Sequence, residues 1–215
     1  MQTLYFSPLA CSLATRITFL ELGIEAEFIE VNGKTKRLRD GSDYRAIHAL
    51  GLVPALRLDD GRLITENAAI LQYLAEASQA LAPADLLGRT ELRQWLSFVG
   101  SELQKTVFIP LMTADAPDGA RAFALEKSDA RLAYLAERLE GREYLLEAFS
   151  VADAYLFTVL NWAQVTPIEL RRWPALAAYM QRMLARPSVR RAVAVERELY
   201  QREIAERQTG AVPPQ

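Results

Sequence analysis

The sequence predicts two domains, a mixed α/β domain at the N-terminus and an all-helical domain after it. Short apolar runs that alternate with turn residues occur only before about residue 80. Beyond that point apolar residues recur every three or four positions, which is the spacing of helices. A length of 215 residues suits one large or two small domains. We expect the α/β domain at 1–79, a linker at 80–87, the helical domain at 88–208 and a tail at 209–215.

In the N-terminal half, a helix follows the first strand and another closes the domain. "SLATRITFLELG" (12–23) carries a helical stripe and ends at Gly23, and "ENAAILQYLAEAS" (66–78) is the closing helix. The last two strands flank a "DDG" turn and predict a hairpin. The predicted order is β-α-β-(α)-β-β-α, with strands at 3–6, 26–31, 53–58 and 62–65.

The C-terminal half contains helical patterns only. "SVADAYLFTVLNWA" (150–163) is nearly all apolar, which is typical of a buried central helix. Ser150 and Asp153 have the spacing of a capping box at its start. Further helices are predicted around "ELRQWLSFVGSELQKTV", "RLAYLAERL", "PALAAYMQRMLARP" and "SVRRAVAVERELYQREIAER".

Composition argues against several functional classes. A net charge of −2 gives no basic excess for nucleic acid, and no apolar stretch reaches the roughly 18 residues of a membrane span. The N-terminus lacks the pattern of a signal peptide, so we expect a cytoplasmic protein. A single cysteine cannot form an internal disulfide, and one Cys with one His disfavours a metal site.

Cys11 is the first candidate for chemistry, because it stands between the first strand and the first helix. A helix N-terminus lowers the pKa of a thiol and favours the thiolate, which could hold an anion or form a mixed disulfide. The same position also suits a small buried residue. Ala14 occupies the place of a second cysteine, which disfavours dithiol redox chemistry.

Three other segments carry candidate binding residues. A cis bond before Pro54 would expose the backbone of Val53 to an extended peptide, although a plain turn fits equally well. Glu66 and Asn67 start a helix that could bind a carboxylate or simply carry an ordinary cap. Lys36 lies in a polar stretch, where lysines are mostly solvated.

Taken together, these segments resemble the cytosolic glutathione transferases, and the bacterial beta class in particular. The resemblance rests on "SPLACSLATRI", "GLVPAL", "DDGRLITENAAILQYLAE", "WLSFVGSELQK" and "FSVADAYLFTVLNWA", and it extends to about residue 195. It implies a thioredoxin-like N-terminal domain joined to an all-α helical bundle, a homodimer, and glutathione as co-substrate.

The resemblance also assigns residues. Cys11 and Ser12 would face the glutathione sulfur, Lys36 its glycyl carboxylate, and Val53 with Pro54 its cysteinyl backbone. Glu66 and Asn67 would hold the γ-glutamyl end, where the family commonly has serine in place of Asn67. Three residues would approach the site from a partner subunit: Ser97, Ser101 and Glu102. Ser97 stands where the family has an asparagine.

Two positions depart from the family pattern. Phe6 stands in the place of a tyrosine and has no hydroxyl to stabilise a thiolate. Gln104 stands in the place of a histidine of the beta class; it cannot act as a base but can donate a hydrogen bond to glutathione. These departures predict unusual or weak activation of the thiolate.

The predicted function is conjugation of glutathione to small apolar electrophiles. Residues for the apolar substrate, all equally compatible with plain core, are Phe6, Leu9, Phe108, Met112 and Trp162. Two alternatives stay open at this point. One is thiol transfer or peroxide reduction through a mixed disulfide at Cys11, and the other is a non-catalytic dimer that binds apolar ligands.

Overall fold

A four-stranded mixed sheet forms the centre of the N-terminal region in the computed structural model, which describes residues 1–209. The strand order is β2-β1-β3-β4; β1 and β2 are parallel, and the other neighbours are antiparallel. All four predicted strands are present, the first with the predicted bounds and the others shorter: β1 Thr3–Phe6, β2 Glu27–Glu30, β3 Ala55–Arg57 and β4 Leu63–Thr65.

Eight α-helices complete the described chain. They are α1 Leu13–Leu22, α2 Asn67–Ser78, α3 Leu86–Phe98, α4 Ile109–Met112, α5 Asp118–Leu139, α6 Val151–Asn161, α7 Pro174–Ala185 and α8 Pro187–Thr209. The bracketed helix between β2 and β3 is only a 3₁₀ turn, Tyr44–Ala46. Between α3 and α4 the helix widens into a π-helical segment, Val99–Phe108, which apolar spacing alone did not predict.

The chain divides into two compact units whose bounds differ from the predicted domains. Of the described residues, the first unit contains Met1–Leu74 and 187–209, and the second unit is Ala75–Arg186. The last helix belongs to the first unit because α8 packs on α1. Sequence periodicity shows that α8 has a buried face but not which partner covers it. The predicted tail falls mostly on residues 210–215, which lie outside the described residues.

The sheet of the first unit buries apolar side chains on both faces. Phe6 is 2% exposed and packs with Leu4, Phe19 and Leu56 in one cluster. Tyr5, the next residue along β1, packs in the opposite cluster with Val31, Tyr44 and Ala55. Neighbours in a strand point to opposite faces, so Tyr5 does not replace the ring of Phe6.

The second unit is organised around α6, whose residues are all buried. The predicted capping box is present, and Asp153 accepts hydrogen bonds from the Ser150 and Leu145 N–H groups at 3.0 and 2.9 Å. Burial raises the pKa of Asp153 to about 6, against the opposing effect of these hydrogen bonds. Within residues 1–209, we find neither a helix with the length and apolarity of a membrane span nor a cluster of side chains suited to a metal ion.

A buried ion pair joins α8 to the beginning of the first unit. Glu196, with a fully buried side chain, accepts a hydrogen bond at 2.8 Å from the guanidinium of Arg16 on α1. Its second oxygen accepts from the backbone N–H of Leu9 at 2.7 Å. The guanidinium lies 4.5 and 4.0 Å from the ring centroids of Phe6 and Phe28. One carboxylate therefore anchors both the loop before Cys11 and the helix after it.

Burial dominates the protonation of this carboxyl group. It raises the pKa of Glu196 to about 7, although Arg16 and the Leu9 N–H act in the opposite direction and Glu30 adds to the rise. A raised pKa means that the folded chain binds the proton more tightly than the unfolded chain. This contribution to stability is complete below the ordinary pKa of Glu and is lost as the pH rises through about 7.

We expect Arg16→Met to lower the free energy of unfolding by about 3 kcal/mol at about pH 8, because it leaves a buried charge unpaired. The loss should be clearly smaller at about pH 5, where Glu196 takes up a proton. Urea unfolding at both pH values measures this difference. Arg62→Met, which breaks only the exposed pair with Asp60, is the matched control and should have little effect at either pH. An equal loss for Arg16→Met at both pH values would contradict the prediction.

Candidate active site

Cys11 lies in the loop Ser7–Ser12 between β1 and α1. It is 9% exposed, and its thiol donates a hydrogen bond at 3.2 Å to the backbone carbonyl of Val53. Leu9 adopts a left-handed conformation with φ of 59°. Because α1 begins at Leu13, the thiol stands immediately before the first helical turn, as the sequence predicted.

Ser12 is also buried, and the described hydrogen bonds of its hydroxyl are both to Ser7. Its hydroxyl donates to the Ser7 carbonyl at 3.2 Å and accepts from the Ser7 N–H at 3.4 Å. Ser7 in turn donates from its hydroxyl to the Val31 carbonyl at 2.7 Å. These bonds close the loop and tie it to the end of β2. The predicted catalytic role of Ser12 stays a prediction.

The Val53–Pro54 peptide bond, which the sequence left open, is cis. Val53 is half-buried, and its carbonyl accepts from the Cys11 thiol. Among residues 1–209, no acceptor lies within hydrogen-bond reach of the Val53 N–H. A strand-like backbone donor next to a thiol is therefore available to an extended peptide.

Lys36 follows a tight turn in which the Asn32 side chain accepts from the N–H groups of Lys34 and Thr35. Lys36 has a φ of 59°, and its aliphatic stem lies over Gly51, where an added Cβ would come within 3.2 Å of it. Burial lowers the pKa of Lys36, and Arg45 lowers it further. A half-buried cation beside a second cation is suited to binding an anion.

Glu66 and Asn67 lie at the junction of β4 and α2. Glu66 is exposed with a φ of 66°, and α2 begins at Asn67. Asn67 is 5% exposed, and its side-chain oxygen accepts from the Thr15 hydroxyl at 3.0 Å, whereas its amide nitrogen is buried with no partner among the described residues. The N–H groups of the first turn have no acceptor within the helix, so a carboxylate could bind there.

The remaining predicted glutathione residues lie in or beside the π-helical segment of the second unit. Gln104 is 7% exposed, and its side-chain oxygen accepts a hydrogen bond from the hydroxyl of Tyr155 on α6. Ser101 is exposed and donates to the carbonyl of Ser97, while Glu102 pairs with Arg131 at 2.5 Å. Such widened helical turns occur frequently at functional sites.

Burial separates the predicted apolar-substrate residues into two groups. Phe6, Phe108 and Trp162 are at most 7% exposed and pack in the cores of their units. Leu9 and Met112 are half-buried. Core packing thus accounts for the three aromatic residues, and their predicted contact with an apolar substrate is untested.

Two residues near these groups were missed in the sequence. Thr15 holds the Asn67 side chain, and Tyr44 donates to the carbonyl of Leu52 beside Val53. Tyr44 is a single large aromatic residue within the polar stretch 32–46, a pattern that could have marked it as a buried anchor. Thr15 gave no comparable indication.

Both halves of the chain match models of one protein family. Residues 10–77 match the family model for the glutathione S-transferase N-terminal domain, and residues 89–187 match the model for the C-terminal domain. Glutathione S-transferase GstA of Escherichia coli O157:H7 is 41% identical over 197 residues, covering 90% of this chain and 98% of that protein.

Solved structures of the same family are also similar to this chain. A sphingomonad glutathione S-transferase in complex with glutathione superimposes with a TM-score of 0.84 at 42% identity, and the beta-class enzyme of Sphingomonas chungbukensis with 0.85 at 40%. Each comparison covers 90% of this chain and 98% of the other. The chain therefore belongs to the glutathione S-transferase family and is similar to its bacterial beta class.

Proposed function

We propose that this protein conjugates glutathione to small apolar electrophiles, with glutathione bound in the first unit. The observation that carries the proposal is the Cys11 thiol beside Val53, whose N–H faces no acceptor in residues 1–209. A cysteine-containing peptide that pairs with Val53 would bring its own sulfur near the start of α1. A sphingomonad relative is described in complex with glutathione, which supports the choice of peptide.

In this proposal, each end of glutathione has a partner in the first unit. The Val53 N–H donates to the cysteinyl carbonyl, and Lys36 pairs with the glycyl carboxylate. Glu66 and the first turn of α2, which begins at Asn67, hold the γ-glutamyl end. The charges and free backbone donors at these positions support the assignment.

The chemical step is attack by the glutathione thiolate. The thiol releases its proton to solvent, and its sulfur then forms a bond to the electrophilic carbon, while the leaving group departs with the bonding electron pair. Cys11 and the N–H groups at the start of α1 favour the anion. Gln104 has its oxygen bound to Tyr155, so its amide N–H groups are the donors left for a ligand.

We further propose that the protein works as a homodimer, to which Ser97, Ser101 and Glu102 contribute from a partner subunit. Ser97 and Ser101 are exposed and Glu102 is half-buried, which leaves them accessible to such a contact.

A second candidate activity is thiol transfer, which the position of the only cysteine favours. The Cys11 thiolate attacks the glutathionyl sulfur of a mixed disulfide and releases the other thiolate. A second glutathione thiolate then attacks the Cys11 mixed disulfide, forming glutathione disulfide and restoring Cys11.

Cys11→Ser and Cys11→Ala distinguish the two activities. Serine keeps one O–H donor at this position, which can turn from the Val53 carbonyl to the glutathione sulfur, so conjugation of an aryl chloride should continue. Alanine has no such donor, so kcat should fall by about 10-fold, the effect of one lost hydrogen bond. Both variants should lose exchange with a small dialkyl disulfide. The rates of the two reactions are measured in parallel.

If conjugation by Cys11→Ala equals that of the wild type, the thiol does not stabilise the thiolate. If the wild type shows disulfide exchange without conjugation, thiol transfer is the activity. Turnover in neither reaction across a panel of electrophiles would leave the ligand-binding dimer.

Lys36→Met should raise the Kd for glutathione by about 10-fold, because it removes a charge-assisted hydrogen bond to the glycyl carboxylate. Titration calorimetry with glutathione and with γ-glutamylcysteine, which lacks the glycine, measures the effect. Lys34→Met is the matched control, since Lys34 is exposed in the same turn. Equal losses for both peptides, or equal effects of both variants, would contradict the assignment of Lys36.

A further inference from the structure

Tyr44 is a fully buried tyrosine at the start of the 3₁₀ turn between β2 and β3. Its ring packs against Tyr5 on β1, with the two centroids 5.5 Å apart, and lies 6.2 Å from the ring of His48. The residue is part of the cluster that includes Val31 and Ala55, with Val53 packed against it. Tyr44 therefore fills the core directly beneath the segment that carries the free Val53 donor.

Two hydrogen bonds connect Tyr44 to the segments assigned to glutathione. Its backbone N–H donates to the carbonyl of Lys36 at 2.9 Å, and its hydroxyl donates to the carbonyl of Leu52 at 2.9 Å. Burial raises the pKa of Tyr44, which keeps the hydroxyl protonated and able to donate. Tyr44 thus holds the backbone at Lys36 through its own N–H and the backbone at Leu52 through its hydroxyl.

The bond to Leu52 fixes the orientation of the Val53 N–H. The carbonyl of Leu52 and the N–H of Val53 belong to the same peptide group, which is planar and trans, so the two dipoles point in opposite directions. A carbonyl held towards the buried Tyr44 hydroxyl turns the Val53 N–H away from the core. Free rotation of this peptide group would instead spread that donor over several directions.

The following peptide group is held from the other side. Its carbonyl, that of Val53, accepts from the Cys11 thiol at 3.2 Å, and Pro54 has no N–H. Both peptide groups that flank Val53 are therefore fixed by side chains, one by a buried phenol and the other by the thiol. A donor that is already oriented loses less entropy when it binds a ligand.

We propose that Tyr44 is a positioning residue for glutathione, whose hydroxyl orients the Val53 N–H towards the cysteinyl carbonyl of the bound peptide. This inference rests on the proposed function, because it takes glutathione as the ligand. It assigns to Tyr44 a share of the binding affinity without any contact with the ligand. The kcat at saturating glutathione should not depend on the hydroxyl.

Tyr44→Phe tests the proposal, since it removes the hydroxyl and keeps the ring. We expect the Kd and the KM for glutathione to rise by about 3- to 10-fold, the effect of one lost hydrogen bond, with kcat unchanged. Tyr5→Phe is the matched control: it removes a hydroxyl from the neighbouring ring, and that hydroxyl accepts from Arg57 at 3.3 Å rather than holding Val53. Tyr5→Phe should leave the Kd unchanged.

The outcomes separate the inference from the function on which it rests. Absence of glutathione binding by the wild type up to millimolar concentrations would overturn the proposed function and the inference with it. Binding by the wild type and equal binding by Tyr44→Phe would overturn only the role of Tyr44. An equal loss in Tyr5→Phe would also overturn it, because the effect would then come from general packing.

Hydrogen exchange at the Val53 amide gives a second measurement, which needs only the folded wild type. The proposal expects this amide to exchange rapidly in the free chain and to be protected when glutathione is added. Slow exchange in the free chain would overturn the proposal, because the N–H would then already be bound within the protein. This measurement can overturn the proposal even if Tyr44→Phe fails to fold.

Discussion

The ion pair between Arg16 and Glu196 determines the conformation of the segment around Cys11. A carboxylate withdrawn from water is stable only when its oxygens are hydrogen-bonded, and here the two oxygens bind the Arg16 guanidinium and the Leu9 N–H. The bond to Leu9 stabilises a backbone conformation with positive φ that leucine rarely adopts. The aromatic rings of Phe6 and Phe28 lie against the guanidinium of Arg16. Phe6, which stands where the family has a tyrosine, therefore contributes to this anchor.

The candidate site is built largely from backbone groups that buried side chains hold in place. Glu196, Tyr44 and Thr15 bind, respectively, the loop before Cys11, the peptide group before Val53 and the side chain of Asn67. Backbone donors are present whatever the local residue is, so the side chains that matter are those that orient them. A search of the sequence for reactive side chains does not find these orienting residues.

Local pattern was sufficient to predict much of the fold. The short apolar run "TLYF", the alternation in "AEFIEV" and the glycine turn at 59–61 each encode a strand or a hairpin within a few residues. Local pattern left the Val53–Pro54 bond open between a cis bond and a plain turn, and the structure has it cis. These features depend on neighbours in the sequence, which is why periodicity and turn chemistry detect them.

Long-range contacts are where the sequence reasoning fell short. Nothing near Glu196 indicates that its partner lies 180 residues away on α1, and α8 was therefore assigned to the helical domain. The π-helical segment at 99–108 keeps an apolar stripe that also fits an α-helix. Tyr44 lies in a stretch whose polarity predicts a loop, although its hydroxyl reaches a segment eight residues further on.

Membership of α8 in the first unit has a consequence for biosynthesis. The second unit is a continuous stretch, Ala75–Arg186, and is translated in full before Glu196. The N-terminal strands emerge earlier, but they cannot acquire the Glu196 anchor until Glu196 itself has been translated. During synthesis the loop before Cys11 therefore lacks its hydrogen bond to Glu196 until α8 has been made.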